Sequence, residues 1–98
     1  MKKTFPFHVP NKKPDRQLDS IRHEIKKYIA RERRKALPEG ADFWDFDCRM
    51  GSNQEEASAL LVHEIPQKIN QLAAEQVDSF YLEILAKPGF KASRKSDQ

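Results

Sequence analysis

One cysteine, three glycines and no apolar run long enough to cross a bilayer mark this 98-residue sequence by what it lacks. Cys48 stands alone, so no internal disulfide can form. Gly40, Gly51 and Gly89 are scattered singly, which excludes a glycine-rich loop of the kind that cradles phosphates. The longest apolar stretches fall far below the ~20 residues that a membrane helix needs, so no membrane span is expected. Pro6, His8 and Pro10 interrupt the stretch after Met1-Lys2-Lys3, so the start does not read as a secretory signal and the expected location is cytoplasmic. Internal repeats are absent. A chain this short builds one modest core and leaves no room for a deep enclosed active site. The expected organisation is a single domain over residues 1–89, followed by a polar, basic, disordered tail over residues 90–98.

Charge, by contrast, is abundant: charged residues make up 34% of the chain and the formal net charge is +3. That net value hides an asymmetry. Residues 1–14 hold four lysines and no acid, and residues 15–35 hold eight basic and four acidic residues. Residues 36–85 reverse the balance, with ten acids against Arg49 and Lys68, and residues 86–98 return to four basic residues against Asp97. Such sorting bears on association more than on fold. Apart from a solvated surface that is merely blocky, it predicts two opposed electrostatic faces, one for an anion and one for a cation or basic partner.

The hydrophobic spacing supplies the elements. Phe5, Phe7 and Val9 alternate over residues 3–9, a strand signal. Pro6 cannot donate to a ladder, so this strand lies at an edge or pairs only from Phe7 onward. Pro14 or Asp15 opens a helix whose buried stripe is Leu18, Ile21, Ile25, Tyr28 and Ile29. Arg16, His23, Lys27, Arg31 and Arg34 run along its opposite side. Pro38 and Gly40 stop it. Residues 42–49 form a second strand, with Trp44, Phe46 and Cys48 on one face and Phe43, Asp45, Asp47 and Arg49 on the other. Residues 57–65 fit either a helix or a strand returning from the Gly51-Ser52-Asn53 turn, and the strand is the reading adopted. Pro66 starts a second helix with Ile69, Leu72 and Ala73 as its stripe, ending near Gln76. Residues 79–85 are the last strand, closed by Pro88-Gly89.

The order β-α-β-β-α-β predicts an α+β domain of the ferredoxin-like, split βαβ type: an antiparallel sheet with two helices on one face and the other face open. That topology makes the first strand central, which Pro6 opposes. Three stretches, Met1-Lys2-Lys3-Thr4-Phe5-Pro6, the run from Arg33 through Gly40 to Asp42-Phe43-Trp44-Asp45-Phe46-Asp47-Cys48-Arg49, and Glu83-Ile84-Leu85-Ala86-Lys87-Pro88-Gly89, resemble a family of small bacterial proteins of unknown function. The resemblance covers most of the chain except the tail and the region near residues 50–60. It implies a bacterial, single-domain, cytosolic protein and transfers no catalytic residue.

Three candidate sites follow. Arg16, Lys27, Arg31 and Arg34, joined by Lys12, Lys13, Lys91, Arg94 and Lys95, can neutralise phosphates. The ridge has no interleaved aromatics for base stacking, so any nucleic-acid contact is to the backbone. On the open face, His8 and His63 are placed on neighbouring central strands with Asp45, Asp47 and Glu83 on the flanks, a donor set that suits a divalent transition metal. The plainer account is histidines hydrogen-bonded to carboxylates, or a sheet face buried in a homodimer. Cys48 falls on the core side, where a thiol is a small apolar group and not a nucleophile. No catalytic set assembles and no cofactor is implied. The leading reading is a non-enzymatic binding module whose basic helix meets RNA or an acidic protein; the alternative is a dimeric or metal-binding domain, the chain otherwise being a monomer.

Overall fold

The structure is a computed structural model in which residues 1–91 are described. Strand β1 (Lys2–Pro6) leads through a loop to helix α1 (Pro14–Arg33). A hairpin of β2 (Phe43–Gly51) and β3 (Ser58–Leu60) follows, then a 3-10 turn (Val62–Glu64) that runs into α2 (Ile65–Ala74). Strand β4 (Ser79–Gly89) completes an antiparallel sheet in the order β1-β4-β2-β3.

The architecture is therefore α+β with a four-stranded antiparallel sheet, but the ferredoxin-like order does not hold. Each βαβ crossover skips one strand, as expected: β1 and β2 flank β4, and β3 and β4 flank β2. Inner and outer strands are exchanged, however, so β1 is an edge and β4 is central. The prolines account for this. Phe7 N–H donates to Asp78 O (2.9 Å) and Ile84 N–H to Met1 O (2.8 Å). Antiparallel alternation then turns the odd residues of β1 toward β4 and the even ones outward. Pro6 thus sits where no ladder donor is needed, and its carbonyl accepts from Gln17 Nε2 (2.8 Å). By the same alternation Pro88 faces the side of β4 that β1, starting at Met1, no longer covers. Both prolines are harmless at these positions, and Pro6 would break a ladder in a central first strand.

The second difference concerns residues 57–63. Only Ser58–Leu60 are extended, opposite Met50, Arg49 and Cys48. The chain then turns: Glu64 Oε1 accepts the Leu61 N–H (2.7 Å), and Pro66 sits in the first turn of α2. The carboxylate caps the Leu61 N–H at the start of the 3-10 turn, which carries the chain away from β2, and pairing ends at Leu60.

One face of the sheet carries the core. Phe5, Phe46, Cys48, Met50, Phe80, Leu82 and Ile84 pack beneath Ile21 and Ile25 of α1 and Ile65, Ile69 and Leu72 of α2. Phe80, Leu82 and Ile84 on the central strand are completely buried, each contributing about 1.5–3 kcal/mol by leaving water. Phe80 also stacks on Phe5 with ring centroids 5.2 Å apart. Helix α1 is fixed at both ends: Gln17 holds Pro6, and just past the C-cap Trp44 Nε1 donates to Lys35 O (2.9 Å). Among the described residues no helix is long and apolar enough to cross a membrane.

Candidate functional site

Two surfaces flank this core, the outer side of α1 and the sheet face away from the helices. On α1 the spacing of Arg16, His23, Lys27, Arg31 and Arg34 draws one stripe along the exposed side. Arg16 to Arg34 spans eighteen residues, about 27 Å at ~1.5 Å each. Three of the four acids of this helix are committed to its flanks: Glu24 pairs with Lys3, Asp19 with Arg22 (3.9 Å) and Glu32 with Lys35 (2.8 Å), while the fourth, Asp15, lies in the first turn. Among the described residues Arg16, Lys27, Arg31 and Arg34 are all exposed and none makes an ion pair. Arg31 lies 5.8 Å over the Tyr28 ring, which steadies the guanidinium without neutralising it. Lys12 Nζ reaches Ser20 Oγ (3.1 Å) and extends the basic surface past the start of the helix. Of the tail, only Phe90 and Lys91 are described, and the Lys91 N–H donates to Asp42 Oδ2 (2.7 Å). The expectations for Arg94, Lys95 and the rest of the tail lie outside the described residues.

The open face differs from its sequence reading in two ways. His8 is in the loop after β1, lining a groove with Phe7, Leu18 and Val77. His63 is in the 3-10 turn beside Lys26, Ile29 and Arg33. Neither belongs to the sheet, because β1 ends at Pro6 and β3 at Leu60. The histidines therefore part from Asp45, Asp47 and Glu83, and among the described residues no group of three or more His, Cys, Asp or Glu is placed to hold a metal. The face is also not acidic. Register puts Lys2 and Arg49 beside Glu83, and Lys87 beside Asp45. Lys87 Nζ bonds Asp47 Oδ1 (2.7 Å), and that carboxylate raises the lysine pKa. Three bases thus offset three acids.

Part of the open face is covered by the β2–β3 connection. Arg49 Nη1 bonds Glu83 Oε2 (3.1 Å) while its Nη2 bonds Ala57 O (2.8 Å). Backbone atoms of Glu56 and Ala57 sit directly against Gly51, which faces Tyr81 across the ladder. Tyr81 and Glu83 are consequently only 7% exposed although no helix lies over them. Burial first, and then the Glu83 carboxylate, push the Tyr81 phenol above its ordinary value. The uncovered end of the face presents Phe43 and Leu85, 42% and 44% exposed. Sequence parity located these residues but gave no sign of the covering loop; the Gly51-Ser52-Asn53 turn was its only trace.

Cys48 is buried on the core side as its parity requires. Burial, then the charges of Asp47 and Asp45, lift its thiol to about 11, so it stays protonated and unreactive near neutrality.

No curated protein and no solved structure matches the chain. A family model does, over residues 1–95, and on that match the chain belongs to the family of unknown function DUF6172.

Proposed function

We propose that this protein is a binding module whose helix α1 docks the phosphate backbone of RNA through Arg16, Lys27, Arg31 and Arg34. The observation that carries this reading is the sorting of ion pairs along α1. Glu24, Asp19 and Glu32 neutralise cations at its flanks and leave four exposed ones in a single line. A row of point charges about 27 Å long, without apolar residues between them, suits a regularly charged polymer better than a protein interface, which draws its affinity from a buried apolar centre. Such contacts position a backbone and read no base.

The test is the salt dependence of binding to a single-stranded RNA. Four neutralised phosphates give a slope of about −2.8 in log K against log salt, at ~0.7 per phosphate, so affinity falls about 50-fold between 50 and 200 mM salt. Arg31→Ala with Arg34→Ala halves the slope to about −1.4. An unchanged slope in that variant removes the ridge from the interface. Binding to an acidic protein that exceeds binding to RNA and is lost in the same variant assigns the ridge to the other kind of partner.

A further inference from the structure

A second surface lies beside the ridge and differs from it in chemistry. Lys26, Ile29, Ala30 and Arg33 recur at the three-and-four spacing of one helical face, turned from the ridge toward the 3-10 turn. With Val62 and His63 they enclose an open groove of about 470 Å³. Its floor is aliphatic: Ile29 and Val62 are half-buried against the core, and Ala30 is exposed. Its rim is basic, with Lys26 and Arg33 at the two ends and His63 on the turn. Among the described residues none of the three makes an ion pair. Arg33 is already positioned, its guanidinium 5.4 Å over the Phe46 ring, so less side-chain freedom is lost when it takes a ligand.

We infer that this groove is a docking site for an acidic peptide that carries one aliphatic side chain between two carboxylates. Charge complementarity fixes the sign of the partner. The floor fixes the rest: it holds no aromatic ring on which a base would stack, so it favours an aliphatic group over a nucleotide. Lys26 and Arg33 stand seven residues apart, about 10 Å along the helix. Side chains of an extended segment alternate faces, so two carboxylates and the aliphatic group between them share one face at positions one, three and five; that span covers ~13 Å, which the long side chains of Lys26 and Arg33 bridge. The site shares no cation with the ridge, so failure of RNA binding leaves it standing.

The experiment follows the methyl resonances of Ile29, Ala30 and Val62 while an acetylated glutamate-serine-leucine-serine-glutamate amide is titrated into the full chain. The expected result is saturable shifts at these three methyls. Replacing the leucine of the peptide by glycine should weaken binding at least tenfold, as should Ala30→Glu, an exposed helical substitution whose fold is checked by circular dichroism. Absence of shifts at millimolar peptide overturns the inference. So does equal binding of the glycine peptide, which leaves charge alone at work, or an RNA strand that displaces the peptide from these methyls at lower concentration. Unchanged binding in Lys26→Ala plus Arg33→Ala, which removes both end cations, overturns it equally.

Discussion

Gly51→Ala tests the covering of the sheet's open face at its narrowest point. A Cβ there would lie 2.7 Å from Glu56 O and 2.8 Å from both Ala57 Cα and Glu56 C. All three are backbone atoms, so no side chain can rotate away. The loop that holds them is itself held, by Arg49 to Ala57 O (2.8 Å) and by Glu56 N–H to Asn53 Oδ1 (2.9 Å). Relief needs a shift of several tenths of an ångström in that loop, and overpacking of this kind costs about 1–3 kcal/mol. Gly51 is not in the left-handed region, so alanine regains roughly 0.4–1 kcal/mol by restricting the unfolded chain. The net is a loss of about 1–2 kcal/mol, or roughly 5–10 °C in Tm for a domain of this size. Tyr81 supplies a second reading. Its phenol is raised first by burial, so displacing the loop lowers its titration midpoint toward the ordinary value. Gly40→Ala is the control: nothing lies within 4 Å of its Cβ and its φ is +87°, so it costs about 1–2 kcal/mol in backbone strain and leaves Tyr81 unmoved. A Gly51→Ala protein as stable as the parent, with Tyr81 titrating unchanged, refutes the covered face.

The remaining expectations concern the same framework. Gln76 holds a φ of 60° just after α2, so Gln76→Gly should raise stability by about 1 kcal/mol in urea unfolding; a loss instead would mean that the glutamine side chain contributes more than its backbone strain costs. Arg49→Ala leaves the nearly buried Glu83 without its guanidinium partner and should cost about 2 kcal/mol. Lys87→Ala breaks an exposed, solvent-screened pair and should cost less than Arg49→Ala; equal losses would contradict this ranking. The fold favours the neutral phenols of Tyr28 and Tyr81, whose pKa values are raised above 10. Their contribution is therefore whole below pH 10 and declines as pH rises through the raised values. Tyr81→Phe should flatten part of the fall in urea midpoint as pH rises above 10, with the Tyr28 part retained; a fall of the same steepness in both proteins argues against a buried phenol.

How far these features can be read in the chain depends on whether they are local. The stripe of α1 and the parity of β2 are dictated by spacing within one element, and Ile21, Ile25, Phe46 and Cys48 are buried accordingly. Strand order is not local. The same alternation would bury the same side chains with β1 central or at the edge, so hydrophobic pattern cannot choose between them. What does choose is which N–H groups face outward, and for β1 only Pro6 records it. The end of β3 was missed for a related reason. Leu60-Leu61-Val62-His63 carries enough apolar character for a strand, but the Glu64 carboxylate takes the Leu61 donor and α2 begins at Ile65. A side chain that caps the turn overrides strand propensity there. With that turn went the placement of His63, and with it the proximity of histidine to carboxylate on the sheet.

The same distinction explains why blocks of charge in the sequence do not become two opposed faces. Lys2 belongs to the first basic block and Lys87 to the last, yet β4 brings both onto the open face beside acids of the middle block. Antiparallel pairing joins segments far apart in the chain, so a sheet mixes charge that the sequence keeps separate. A helix cannot do this, because its surface neighbours are three and four residues away. Local excess in the sequence therefore survives as local excess on α1. There Arg16, Lys27, Arg31 and Arg34 outnumber the acids within reach, and those acids have already turned to Lys3, Arg22 and Lys35. The cationic surplus of this chain thus comes to rest on the element least able to neutralise it, and a search for a polyanionic partner belongs on that helix and not on the sheet.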